Sequence, residues 1–305
     1  MWRKELFWCS PMARGNALIG KLKTAMRVLR QDPQPLRKLM SLTVMNLPFD
    51  VGRCVRATVW VQGYKIRFHQ SVLAMEHWYN PKARSADHAF ITGYLRRGDT
   101  YIDVGANIGT TVIPAALTIE DGRVIAFEPH PRTYFYLQDN VALNNLCQEV
   151  ELHNCALGSD RGHVCFSSCR SDVMNRVLTT SEGMRVPVRL LDDFTADCSR
   201  VDLLKLDVEG YEKYVLEGGS RTLAKTQCVY FEISDQHTSA FGYSVRDLLT
   251  GLADLNFRLF ICRDAERLTP ISCEHVVQGT YENAIAIRNL DEFRRRTGWG
   301  VSDAR

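Results

Sequence analysis

The chain has 305 residues, of which 45% are hydrophobic and 24% are charged, the balance of an ordinary globular protein. Its formal net charge of +3 at pH 7 is too small to indicate a nucleic-acid partner by itself. No apolar stretch reaches the roughly 18 residues that a membrane-spanning helix needs. The ten cysteines show no paired zinc-binding spacing, so we interpret them as reduced thiols, including Cys165 and Cys169.

Residues 1–50 form a basic segment that differs from the rest of the chain. Nine lysines and arginines but only two acids fall within residues 1–40. Apolar residues of 18–29 recur on one helical face, which predicts an amphipathic helix that ends at Pro33 and Pro35. We expect this helix to pack on the protein's own body. The alternative is contact with an anionic membrane surface through residues 14–30.

Residues 51–98 follow as a second segment. Short strand-like runs at 55–61 and 64–68 flank Gln62-Gly63, which predicts a β-hairpin. A helix is predicted over 86–97, with Gly98 as its stop signal. We expect this segment to cover an acceptor pocket.

From residue 99 to 290 strand and helix patterns alternate, which predicts an α/β domain with a mostly parallel sheet covered by helices on both faces. About 20 residues without a helical pattern separate the last two strands, so an antiparallel end is expected. Residues 291–305 are a basic C-terminal tail. The predicted strands are 100–104, 123–127, 150–155, 201–206, 228–233, 257–262 and 284–287, and the helices between them are 110–118, 131–144, 211–217 and 244–255.

The segment Asp103-Val-Gly-Ala-Asn-Ile-Gly109 opens this domain like a ligand-binding turn. Glycine after a strand permits a tight turn and a close backbone approach, and the next helix points free N–H groups at the crevice. A dinucleotide fingerprint needs Gly-x-Gly-x-x-Gly, whereas these glycines are four apart. Asp103 would repel a diphosphate and balance a cation. The pattern therefore favours S-adenosylmethionine, which carries a sulfonium and an ammonium group and no phosphate.

Glu128, in Phe127-Glu-Pro129, ends the next strand and is placed to accept hydrogen bonds from both ribose hydroxyls. The end of the third strand is expected beside the adenine. The predicted cofactor-binding residues are Asp103, Gly105, Ala106, Asn107, Gly109, Thr110, Glu128, Pro129, Ala156 and Asp207.

These motifs, together with Lys205-Leu-Asp-Val-Glu-Gly-Tyr-Glu212 and Val215-Leu-Glu-Gly-Gly219, resemble the FkbM-type methyltransferases over about residues 84–265. The resemblance implies a class I, Rossmann-like fold with a seven-stranded, mostly parallel sheet and an antiparallel last strand. The residues before it would add an N-terminal helical and hairpin extension. The resemblance also implies methyl transfer to a hydroxyl oxygen of a sugar, a glycolipid or polysaccharide, or a natural product.

Catalytic candidates lie at the ends of the fourth and fifth predicted strands. Methylation of an alcohol is helped by a positioned base beside the sulfonium. Asp207 is the first choice as base, followed by His237 and Glu232, with Lys205 and Glu209 beside them. Glu209 could instead only brace the next helix. The favoured interpretation has no metal, and the alternative is a divalent ion held by Asp207, Glu209 and Glu232.

Two other functions stay open from the residues alone. One is a nicotinamide-dependent oxidoreductase on a related fold, which the glycine spacing and Asp103 oppose. The other is a non-catalytic binding protein that keeps the cofactor fold, which the intact carboxylates oppose. No nucleic-acid partner is expected, because basic and aromatic residues do not interleave along a strand. We predict a cytoplasmic protein, with peripheral membrane contact as the alternative.

Overall fold

The computed structural model describes residues 34–80, 82–169, 171–264 and 266–302. The predicted helix at 18–29 and the membrane-contact segment 14–30 lie outside these residues. Within the described ranges, the helices are too short or too polar to cross a membrane. The described residues form two compact units: those from Gln34 to Ala83 with Cys169–Met174, and Arg84–Ser168 with those from Asn175 to Ser302. The boundary falls inside the predicted 51–98 segment, whose role as a pocket cover stays a prediction.

The smaller unit contains helices α1 (Pro35–Met45), α2 (Val51–Val55) and α3 (Val72–Tyr79) and the hairpin strands β1 (Thr58–Val61) and β2 (Tyr64–Arg67). The hairpin prediction is confirmed, because β1 and β2 pair antiparallel and Gln62 and Gly63 both have positive φ, at 42° and 99°. The helix that Pro33 and Pro35 were predicted to end lies outside the described residues, and Pro35 itself begins the next helix. Proline lacks an N–H and has a helical φ, so it fits the first helical position, where Pro35 begins α1.

The larger unit is built on a nine-stranded sheet with the order β14-β12-β11-β13-β10-β9-β3-β4-β5. The run from β5 to β10 is parallel, and β13 lies antiparallel between β10 and β11. The seven predicted strands are all present, and their antiparallel end is confirmed. Two further strands, β12 and β14, extend one edge of the sheet. The strands are β3 (Thr100–Val104), β4 (Arg123–Phe127), β5 (Val150–His153), β9 (Val201–Leu206), β10 (Thr226–Ile233), β11 (Arg258–Asp264), β12 (Arg267–Pro270), β13 (Glu282–Ile287) and β14 (Gly300–Val301).

A separate three-stranded sheet, absent from the sequence prediction, contains β6 (Ala156–Leu157), β7 (Gly162–Phe166) and β8 (Met184–Arg189). The predicted strand 150–155 therefore divides, and β5 ends at His153. Asn154 makes the break, since its side-chain amide donates to the carbonyl oxygens of Glu128 at 2.8 Å and Pro129 at 3.0 Å.

Helices connect the parallel strands and cover both faces of the large sheet. All six residues of β9 are buried, which requires cover on each side. Right-handed crossovers place helices on opposite faces where the strand order reverses, between β3 and β9. The helices are α4 (Ser85–Tyr94), α5 (Val112–Ile119), α6 (Pro131–Leu143), α7 (Glu212–Glu217), α8 (Ser220–Lys225), α9 (Asp235–Ser239), α10 (Val245–Asp254) and α11 (Leu290–Thr297).

This reversal determines where a ligand can bind. In open α/β sheets the crevice lies outside the carboxyl ends of the strands at the point where the strand order reverses. The turns after β3 and β9 meet there, and they carry the two motifs that the sequence singles out. Helix α11 also shows that the predicted C-terminal tail begins with regular structure.

Candidate active site

The turn after β3 lies directly against the end of β9. Gly105 has φ +86°, and a Cβ added there would lie 2.0 Å from the carbonyl oxygen of Asp207. The backbone N–H groups of Gly105 and Ala106 both donate to the carbonyl of Phe127 at 3.0 Å. Asn107 also has positive φ, at 48°. The motif therefore brings the ends of β3, β4 and β9 to one place, and glycine is needed at 105 because a side chain would separate them.

Glu128 connects the ends of β3 and β4. Its Oε2 accepts from the backbone N–H of Asn107 at 3.0 Å, and its Oε1 accepts from that of His130 at 2.9 Å. The side chain is buried. These two hydrogen bonds fix the carboxylate at the ends of the two strands.

Asp103 is buried inside the protein, so it would act on a cationic ligand through its charge and not by direct contact, and its role in cofactor binding stays a prediction. It is 0% exposed, and it accepts from Lys205 Nζ at 3.0 Å, Tyr101 Oη at 2.8 Å and Thr111 Oγ1 at 2.5 Å. These three donors come from the protein itself and surround the carboxylate. Sequence reasoning missed Tyr101 and Thr111, although Tyr101 shares a strand face with Asp103 through the two-residue period.

Lys205 bridges Asp103 and the crevice. Its buried ammonium lies 3.6 Å from Asp207 Oδ2 as well as 3.0 Å from Asp103 Oδ1. Burial opposes the charged ammonium, but the two carboxylates outweigh it and raise the pKa of Lys205. The Asp207 side chain is 37% exposed, so it is the member of this trio that a ligand can reach.

A second group of side chains converges where β9 and β10 end. His237 Nδ1 lies 3.2 Å from Glu209 Oε2 and 3.4 Å from Glu232 Oε1. Among the described residues, Glu209, Glu232 and His237 place potential metal-ligand atoms within 4.8 Å of one another. This set differs from the predicted Asp207, Glu209 and Glu232. Asp207 is paired with Lys205 instead, and His237 takes its place.

Glu212 braces the loop that carries Glu209. Its Oε1 accepts from the backbone N–H groups of Val208 at 3.3 Å and Gly210 at 3.2 Å, and its Oε2 lies 3.3 Å from Tyr243 Oη. Burial raises the pKa of Glu212 to about 7. Tyr243 also donates to the carbonyl of Gly210 at 2.8 Å, a contact that the sequence pattern did not indicate.

The remaining cofactor candidates lie around the same crevice. Gly109 has φ +92°, and a Cβ there would lie 2.8 Å from Leu137 Cδ1. Thr110 follows it, Pro129 follows Glu128, and the buried Ala156 begins β6. The carboxylates beside the turn after β3 are the buried Glu128 and Asp207, whose side chain is 37% exposed. This chemistry fits a cationic nucleoside better than a diphosphate.

A sequence model of the methyltransferase FkbM domain matches residues 103–259, more than half of the chain. The chain belongs to the FkbM methyltransferase family. The match begins at Asp103 and includes the ends of β3, β4, β9 and β10. The family that the sequence motifs resemble is thereby confirmed.

Three relatives illustrate the range of proteins that this chain is similar to. The chain is 26% identical over 171 residues to the 2-O-methyltransferase NoeI of Sinorhizobium fredii, covering 49% of this chain and 69% of the relative. It is 28% identical over 196 residues to the hexuronic acid methyltransferase AglP of Haloferax volcanii, covering 62% and 78%. It is 28% identical over 146 residues to a tRNA (guanine(37)-N(1))-methyltransferase of Danio rerio, covering 41% and 30%. Across its curated relatives, the chain spans from 28% to 78% of their own length.

Proposed function

We propose that this protein transfers the methyl group of S-adenosylmethionine to a hydroxyl oxygen of a sugar-containing acceptor. One observation carries the proposal: a reachable carboxylate and a Glu-His-Glu cluster converge at the carboxyl ends of β9 and β10, beside the glycine turn of β3. That is where a methyl donor and an acceptor would meet in a sheet of this order.

The cofactor would be held by backbone and carboxylates. Glu128 would accept from the ribose hydroxyls, the turn from Gly105 to Thr110 would approach the donor closely, and Ala156 would flank the adenine. Asp207 would lie nearest the positive groups of the donor. When bound, S-adenosylmethionine supplies a methyl group attached to a sulfonium, and the sulfur becomes a neutral thioether when the methyl group is transferred.

Two groups of residues would divide the work on the acceptor. Asp207 is already paired with the Lys205 ammonium, 3.6 Å away, and lies beside the glycine turn, so we assign it to the positive groups of the donor. Activation of the acceptor hydroxyl is therefore assigned to the cluster of Glu209, Glu232 and His237, and not to Asp207, the first choice from the sequence.

A sugar hydroxyl is the proposed acceptor. The printed names of two relatives specify a 2-O-methyltransferase and a hexuronic acid methyltransferase, and they support this class. The name of the tRNA methyltransferase raises a nitrogen acceptor in RNA as the competing class. The carboxylates of Glu209 and Glu232 and the small net charge disfavour a polyphosphate at this site.

Labelled S-adenosylmethionine and a panel of uronic acid glycans, neutral glycans and tRNA would test the proposal. We expect label in a glycan and release of S-adenosylhomocysteine. Glu128→Gln should weaken binding of S-adenosylmethionine about tenfold or more, because it removes a charge-assisted hydrogen bond. Glu151→Gln, on β5, serves as the matched control and should bind like the wild type. Absence of cofactor binding, or label in tRNA alone, would contradict the proposal.

A further inference from the structure

The geometry points to a divalent cation site formed by Glu209, Glu232 and His237. This inference deepens the proposed function and rests on it, since the ion would bind and activate the acceptor hydroxyl. It replaces the set of Asp207, Glu209 and Glu232 that the sequence left open.

Three different elements deliver the donors to one point. Glu209 follows β9 with φ +54°, in the left-handed region that costs a non-glycine residue free energy. Glu232 is the penultimate residue of β10, and His237 lies in α9 just after it. A Cβ at Gly210 would lie 2.7 Å from the backbone of His237, so the loop after β9 is pressed against α9.

The distances suit an ion. Two ligands at right angles around a magnesium-sized ion, each about 2.1 Å from it, lie about 3 Å apart. His237 Nδ1 lies 3.2 Å and 3.4 Å from the two carboxylate oxygens, and all three donor atoms fall within 4.8 Å. The three side chains are 13–14% exposed, so the group is largely enclosed but still accessible to solvent.

The charges favour the same conclusion. Glu209 and Glu232 each approach the same imidazole nitrogen, so two carboxylates lie side by side at this point. A divalent cation would offset both negative charges together. Two carboxylates and an imidazole are ligands for Mn²⁺, Mg²⁺ or Zn²⁺, and three protein ligands leave positions open for substrate.

The open positions give the ion its role. A hydroxyl bound to a divalent cation loses its proton more readily than a free one. In the transfer, the sulfur–carbon bond of the donor breaks, the new oxygen–carbon bond forms, and the hydroxyl proton passes to water. The sulfonium becomes a thioether, so charge and atoms balance without another reactant. Neighbouring hydroxyls of a sugar could occupy two open positions together, which would select a diol acceptor.

Manganese binding to the purified full chain tests the site without any acceptor. Electron paramagnetic resonance of free Mn²⁺ should show one ion bound per wild-type chain. Glu232→Gln and His237→Asn should each weaken binding at least tenfold. Glu151→Gln removes a carboxylate from another Glu-His pair, where His153 Nε2 lies 2.7 Å from Glu151 Oε1. This control should bind like the wild type.

Circular dichroism and thermal melting would verify that each variant is folded, and Glu209→Gln gives an independent second probe of the same site. No binding by the wild type at millimolar Mn²⁺, or equal binding by folded Glu232→Gln and His237→Asn, would overturn the inference. The two proposals fail separately. Full methyl transfer in excess EDTA would contradict the metal site but keep the proposed methyltransferase. Manganese binding without S-adenosylmethionine binding would keep the metal site but contradict the proposed methyltransferase.

Discussion

At the scale of single residues, Lys205 has the most demanding position in the site. Its ammonium is buried between Asp103, which is 0% exposed, and Asp207, which a ligand can reach. Removing one partner of a buried pair leaves an uncompensated charge, whereas replacing both can be nearly neutral. Lys205 therefore acts as a positioning residue that holds the ends of β3 and β9 in register.

Lys205→Met should lower the free energy of unfolding by about 3–5 kcal/mol, because Asp103 would be buried without its cation. The double variant Lys205→Met/Asp103→Asn should recover part of that loss. Urea unfolding of the two single variants and the double variant gives the coupling free energy. Strictly additive costs would show that the two side chains are not coupled.

Glu212 should make stability depend on pH. Burial raises the pKa of Glu212 from 4.5 to about 7, so folding favours its protonated form. The contribution of Glu212 to the free energy of unfolding is therefore complete below its pKa in the unfolded chain, and it is lost as pH rises through about 7. The charged groups that face it include Glu232, and its hydrogen-bond partners include Tyr243.

Glu212→Gln stays neutral and keeps an acceptor for the N–H groups of Val208 and Gly210. Relative to this variant, the wild type should lose on the order of 3 kcal/mol of unfolding free energy between pH 5 and pH 8. Denaturant unfolding at both pH values measures the difference. Parallel pH profiles for the two proteins would contradict the assignment.

At the scale of elements, the sequence predicts strands best where they are buried on both faces. β3, β4 and β9 have the bounds expected from their apolar runs, since complete burial leaves an uninterrupted signal. The strands β6 to β8 were not predicted, because they are short and partly exposed. The strand Val150–His153 was predicted two residues too long, because nothing in the local pattern marks the turn at Asn154, whose side chain bonds to distant carbonyls.

The turn after β3 gives a test of element packing. Gly105 and Gly242 both have positive φ, at 86° and 77°, but only at Gly105 would a Cβ meet other atoms within 4 Å. Gly242→Ala should cost about 1–2 kcal/mol from backbone strain alone. Gly105→Ala should cost clearly more, because its methyl would push Asp207 away, and it should abolish binding of S-adenosylmethionine.

Calorimetric titration with S-adenosylmethionine and urea unfolding of both glycine variants separate these effects. Equal losses in the two variants would mean that the close approach of Asp207 contributes nothing beyond the strain. Retained cofactor binding in Gly105→Ala would mean that the turn tolerates separation of the strand ends.

At the scale of the whole molecule, the sequence could indicate which strand ends carry function but not how their side chains pair. Asp103 and Lys205 lie 102 positions apart in the sequence, so their ion pair follows only from the β3–β9 register. The convergence of His237 on two glutamates likewise depends on the loop of Gly210 packing against α9. The spacing of the motifs identified the residues of the site. Tertiary packing determines that Asp103 is buried and that His237 lies beside the two glutamates.

Ligand binding offers a test that involves the whole fold. A ligand that binds only the folded protein stabilises it by about 2.7 kcal/mol at one hundred times its dissociation constant. For a chain of this size that corresponds to a rise of several degrees in melting temperature. S-adenosylhomocysteine should produce this rise, and NAD⁺ at the same concentration should not, because the partly exposed carboxylate of Asp207 beside the glycine turn repels a diphosphate. Glu128→Gln should reduce the rise, while Glu151→Gln should keep it. A rise with NAD⁺ and none with S-adenosylhomocysteine would instead indicate a nicotinamide-dependent enzyme.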